Sequence, residues 1–109
     1  MARRLSRGDV WMYEFSAPDK RRPVVILSRQ AVIPLLRTVM VAPITSAVHG
    51  VPSEVPVGPD QGLKGTSAIN LDHVQTVDKH RLTHFVAHLG RDVMDQVCRA
   101  LAAATSCPD

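Results

Sequence analysis

Hydrophobic and polar positions alternate along this chain in short bursts, separated by glycine, proline and aspartate. The first burst is Val10–Phe15. Trp11, Tyr13 and Phe15 fall on one side and Val10, Met12 and Glu14 on the other, the period of two that marks a strand. Arg7-Gly8-Asp9 reads as a turn before it and Ala17-Pro18-Asp19 as a turn after it. Pro23–Leu27 is apolar at every position, which predicts a short strand covered on both faces. Pro23 belongs at its start or on an edge, because proline cannot donate to a ladder. Gln30–Leu36 reads as a turn or a short helix broken by Pro34. Val39–Ile44, Glu54–Val57, Ser67–Leu71 and Val74–Val77 are further short strands, and Phe85–His88 is another candidate. Asp60–Thr66 is a glycine-bearing loop. Strands this short and this closely spaced predict a mainly β fold, a small barrel or sandwich.

The period changes at the end of the chain. RDVMDQVCRALAAATS places Met94, Val97, Leu101 and Ala104 on one stripe at helical spacing, widened by Val93, Cys98 and Ala100. Asp92 suits the first turn and Pro108 lies just past the end. The expectation is α+β: small strands closed by one C-terminal helix that packs on the barrel or on a partner, with Cys98 a small core residue.

Composition narrows the class. The 109 residues form a single expected domain, 1–109, with MARRLS (1–6) as a flexible extension. At 45% hydrophobic residues, the composition argues against disorder. No apolar run approaches the roughly 20 residues of a membrane helix. The basic start is interrupted by Asp9 and Glu14, a poor secretory leader. Cys98 and Cys107 stand outside any CxxC pattern, so the simplest reading is a reduced, cytoplasmic chain.

Charge is uneven. Residues 1–40 carry eight Lys or Arg against three Asp or Glu; residues 41–109 carry five against seven. A basic first half fits either a phosphate-bearing partner or a solvated basic surface. His80, His84 and His88 recur every fourth residue, but Thr83, Phe85 and Val86 favour a strand. Four residues along a strand span about 13 Å, too far for one metal ion. The glycines at 58, 62 and 65 make no phosphate loop, and no GxSxG or paired nucleophilic cysteine is present. The strand aromatics could stack on bases, but core or interface is the commoner use of such a stripe. What is left is Arg22, at the head of one strand, and Thr45 and Ser46, at the tail of another. If those strands pair antiparallel, the two ends fall at one edge. A fixed guanidinium beside a hydroxyl makes a phosphate site.

RGDVWMYEF, RRPVVILSR, VAPITS and NLDHVQTVDKHRL, in this order, resemble the MazF/PemK (Kid) toxins of bacterial type II toxin–antitoxin systems. The resemblance runs from Arg7 to Leu101. It implies an SH3-like barrel with a C-terminal helix, assembled as a homodimer. It implies a metal-independent, cofactor-free endoribonuclease that cuts single-stranded RNA (mRNA) through the RNA's own 2′-hydroxyl and so inhibits translation. It also implies a cognate antitoxin with an acidic, disordered tail. By position, the catalytic residues fall on Arg22 and Thr45, and the RNA-binding ones on Lys20, Arg21, Ser46, His49 and Gln75. The base for the 2′-hydroxyl would be Thr45 through water, His49, or no side chain. The same fold is also used by toxins that poison a protein such as DNA gyrase and cut nothing. An arginine–threonine pair is a feature such a binder does not need.

Overall fold

The computed structural model describes residues 4–15 and 21–108. Seven strands are present: β1 (Asp9–Glu14), β2 (Arg21–Ile26), β3 (Thr38–Thr45), β4 (Glu54–Val57), β5 (Ser67–Asn70), β6 (Gln75–Asp78) and β7 (Leu82–His88). One helix, α1 (Arg91–Thr105), follows. All recorded pairings are antiparallel. The order across the sheet is β4-β5-β3-β2-β1-β7, with β6 beside the other half of β3. β3 therefore serves two strands along one edge: Thr38–Val41 pairs with β6, and Ile44–Thr45 pairs with β5. That split bends the sheet into the curled, small-barrel shape that the strand pattern predicts, although no pairing among the described residues joins β4 to β7.

Both faces of the sheet are covered, as the unbroken apolar run after Pro23 requires. Val25, Leu27, Ala42 and Ile44 pack inward with Val55, Val57, Ile69, Leu89, Val97 and Ala100. The neighbouring positions Val24, Ile26, Val39 and Val41 pack on the other face with Trp11, Tyr13, Val77 and Leu82. Period-two geometry forces this division. Trp11 and Tyr13 are buried, so the first strand's aromatics are core. Trp11 meets Phe85 edge-on at 5.9 Å, and Tyr13 meets Phe15 at 4.6 Å.

α1 closes the first face. Val97 and Ala100 are buried, and Val93, Met94, Leu101 and Ala104 pack beside them. The helix ends in a left-handed Ser106, and Cys107 N–H returns to Ala102 O at 2.9 Å. Cys98 is exposed, contrary to the expectation of a core residue: it flanks the stripe, and its Sγ lies 3.4 Å from Arg7 Nη2. Leu5 and Ser6, expected in a flexible extension, are also held. Leu5 packs on the second face, and Ser6 N–H donates to Asp9 Oδ2 at 2.9 Å. β7 is longer than Phe85–His88, because its first half pairs with Met12 and Tyr13. Among the described residues no helix is long and apolar enough to cross a membrane.

Candidate active site

The site begins with two prolines. β2 and β3 pair at Ile26–Val41, Val25–Ala42 and Val24–Pro43, and there the recorded pairing stops. Beyond it stands Pro23 on one strand, with Pro43 as the last partner on the other. Neither has an N–H to carry the ladder onward. The sequence expectation set Pro23 at a strand start or an edge. It is in fact the third residue of β2, where the ladder is one-sided: Met12 of β1 is its partner.

The register continued past Val24–Pro43 sets Arg22 against Thr45. Direct partners across a pair share a face, so both side chains stand on the face of Val24, Ile26 and Tyr13. Tyr13 is the β1 partner of Arg22. Arg22 is exposed, and no described residue accepts a hydrogen bond from its guanidinium. Thr45 is half-buried, and its Oγ1 accepts the Ala47 N–H at 3.0 Å. That bond fixes the hydroxyl and occupies an acceptor position, so its own hydrogen is the part left to offer. The pair is thus a charged fork and a hydroxyl donor on one edge, suited to the oxygens of a phosphodiester.

The remaining expected residues distribute around this pair. Ser46 follows Thr45 and is exposed. Gln75 of β6 partners Val41, so it shares the face but sits about 13 Å along β3 from Thr45. His49 lies in the β3–β4 loop. Its N–H and that of Gly50 both donate to Glu54 Oε1 at 2.9 Å, and its ring lies 3.7 Å from Glu54 Oε2. The Glu54 side chain is only 5% exposed. Burial works against its charge, but the His49 and Gly50 N–H groups, the His49 ring and the Val51 backbone outweigh it and hold its pKa below the ordinary 4.5. Lys20 lies outside the described residues.

Arg21 goes elsewhere. As the neighbour of Arg22 it projects to the opposite face, where its Nη1 lies 3.4 Å from His84 Nδ1. There it lines a cleft of about 850 Å³ with Met12, Pro23, Ile44, Lys64 and His84. Two adjacent cations in sequence are thus on two sides of one strand. Conversely, the sequence reading passed over Arg81, which the fold brings to the Arg22 face. Its Cζ sits 5.9 Å from the Tyr13 ring centre, and its Nε donates to Glu14 O at 2.8 Å. Only the β1–β7 pairing reveals this, since Leu82 partners Tyr13.

The class is that of small β domains in which a curled antiparallel sheet carries a helix over one face and, on the other, an arginine with no partner among the described residues beside a hydroxyl. Residues 6–105 match the family described as PemK-like, MazF-like toxin of type II toxin–antitoxin system. The chain is 42% identical over 103 residues to MazF5 of Mycobacterium tuberculosis, covering 94% of each. It superposes on the Mycobacterium tuberculosis toxin MazF-mt6 with a TM-score of 0.85 at 33% identity, over 93% of this chain and 99% of that one. It superposes equally well, at 0.85 and 25% identity, on a mycobacterial endoribonuclease solved in complex with its cognate antitoxin, over 96% and 98% of the two chains. This chain belongs to the PemK-like, MazF-like toxins of type II toxin–antitoxin systems.

Proposed function

We propose that this toxin is an endoribonuclease that cuts single-stranded RNA at the Arg22–Thr45 edge, lowering translation, and that a cognate antitoxin restrains it. The observation that carries the reading is the register of β2 on β3: continued two residues past Val24–Pro43, it brings a guanidinium with no partner among the described residues beside a fixed hydroxyl. In this scheme the RNA 2′-oxygen attacks the adjacent phosphorus and the bond to the 5′-oxygen breaks. The products are a 2′,3′-cyclic phosphate and a 5′-hydroxyl. The proton lost by the 2′-hydroxyl leaves to water, and the departing 5′-oxygen takes up one. Arg22 stays charged throughout, because a guanidinium pKa lies above about 12. It clamps the non-bridging oxygens as charge builds on them. Thr45 donates its hydroxyl hydrogen to the same group. Each such donor is worth about 10²–10³ in rate.

Around this pair, Ser46, His49 and Gln75 extend the RNA path, and Lys20 and Arg21 guide the chain in. The reaction needs no metal and no cofactor. The active form is a homodimer in the cytoplasm. The test is direct: the purified protein is incubated with a long single-stranded RNA in EDTA and the cuts are mapped. Cleavage should persist with the chelator and collapse in both Arg22→Ala and Thr45→Ala. RNA left intact by the parent, or cut as well by both variants, rules out this assignment.

A further inference from the structure

We infer that Arg81 is a second phosphate-binding group of the Arg22 face, holding the RNA backbone one phosphate or more away from the bond that is cut. The inference rests on the RNA-cleaving reading and adds a residue to it.

The geometry is that of a guanidinium held in place for a ligand. Arg81 ends the 3₁₀ turn Lys79–Arg81, just before β7. One edge of its guanidinium is fixed, with Nε on the Glu14 carbonyl at 2.8 Å. One of its faces lies over Tyr13, which is 8% exposed and cannot move away. No described residue accepts a hydrogen bond from its terminal N–H groups, so the planar fork that matches a phosphate is left to a ligand. The acids nearby are spoken for or turned aside. Asp78 Oδ1 accepts the His80 N–H at 2.9 Å, and Glu14, the neighbour of Tyr13, projects to the other face of β1. Tyr13 partners Arg22 on its other side, so the sequence across the face is Arg81 over Tyr13, then Arg22, then Thr45. Strands lie about 4.8 Å apart, which sets the two guanidinium groups on one continuous cationic strip. Holding a guanidinium still before the ligand arrives removes part of the ordering cost of binding.

A purely structural arginine is the competing account: Arg81 would simply tie the start of β7 to the end of β1. The two accounts part on salt. A cation that neutralises a phosphate on a single strand contributes about 0.7 to the slope of log affinity against log salt. A structural tie contributes nothing to it.

The experiment uses an RNA made wholly of 2′-O-methyl nucleotides, which binds without being cut, beside the ordinary RNA for kinetics. Arg81→Gln should weaken binding about tenfold and make the salt slope shallower by about 0.7. It should raise KM with kcat within about twofold of the parent. Arg81→Lys should keep the slope, because it keeps the charge. Melting curves of both variants are recorded alongside. An unchanged slope in Arg81→Gln, with or without a lower Tm, overturns the inference. So does a fall in kcat alone. If the parent itself neither binds nor cuts RNA, the functional reading fails instead.

Discussion

At the scale of single residues, the site depends on what each side chain has already committed. Thr45 accepts from Ala47, so its hydroxyl is a donor with a fixed direction. Thr45→Ser keeps that donor and should retain cleavage within a few fold. Thr45→Val keeps the volume, loses the hydroxyl, and should lower kcat by about 10²–10³. Arg22→Lys keeps the charge but loses the planar fork, so it should fall between the parent and Arg22→Ala. Single-turnover rates on one defined RNA check all three. That Arg22 and Thr45 come to one edge was legible from the sequence, because they stand at opposite ends of two strands that pair antiparallel. That Arg21 would stand on the other face from Arg22 was not read from the sequence, although adjacent strand residues point to opposite faces. Arg81 was invisible, since nothing local says that β7 will lie beside β1. Cys98 was misread for the reverse reason. A helical stripe predicts a face well but its margins poorly, and Cys98 stands on the margin.

At the scale of elements, turns decide where strands begin. Gly8 links three of them: its N–H donates to Ile26 O and its carbonyl accepts from Leu89 N–H, both at 2.9 Å. Its φ of +91° is a conformation that side chains rarely adopt, and an added Cβ would sit 3.4 Å from Leu89 O and Met94 Cγ. Gly8→Ala should therefore cost about 1 kcal/mol or more, read as a lower urea midpoint at unchanged slope. The β3–β4 loop depends instead on a charge. Glu54 has a lowered pKa in the folded chain, so its contribution is present above the ordinary value of 4.5 and is lost as pH falls through the depressed one. Parent stability should drop over that acid window, and Glu54→Gln should show a flatter profile there with a lower Tm at pH 7. A parallel pair of Tm-against-pH curves shows whether the sign is right. The strands were legible because alternation and turn residues are local. The extra length of β7 was not, because Leu82 and His84 owe their strand form to pairing with β1 rather than to their own pattern.

At the scale of the whole molecule, apolar packing rather than ion pairing between Lys or Arg and acids carries the described fold. The two apolar clusters hold the fold. Among the described residues every close ion pair has a histidine as its cationic side: His49 with Glu54, His80 with Asp78, and His88 with Asp9. The described arginines and lysines enter no such pair with a described acid, although the chain carries thirteen Lys and Arg for a net charge of +3. Salt should therefore act on the two properties separately. Screening removes little from a fold that has few ion pairs to lose. RNA binding, in contrast, releases counterions from each phosphate neutralised. Arg22 and Arg81 alone would give a slope of about −1.4, hence at least about a sevenfold loss of affinity between 50 and 200 mM salt. Over the same range Tm should move by no more than about 2 °C. Fluorescence anisotropy with the 2′-O-methyl RNA and a melting series in matched buffers supply both numbers. A flat affinity would point to a protein target recognised without phosphate. A Tm that fell in step with affinity would mean that the cations hold the fold after all, and that the strip around Arg22 is not reserved for a ligand.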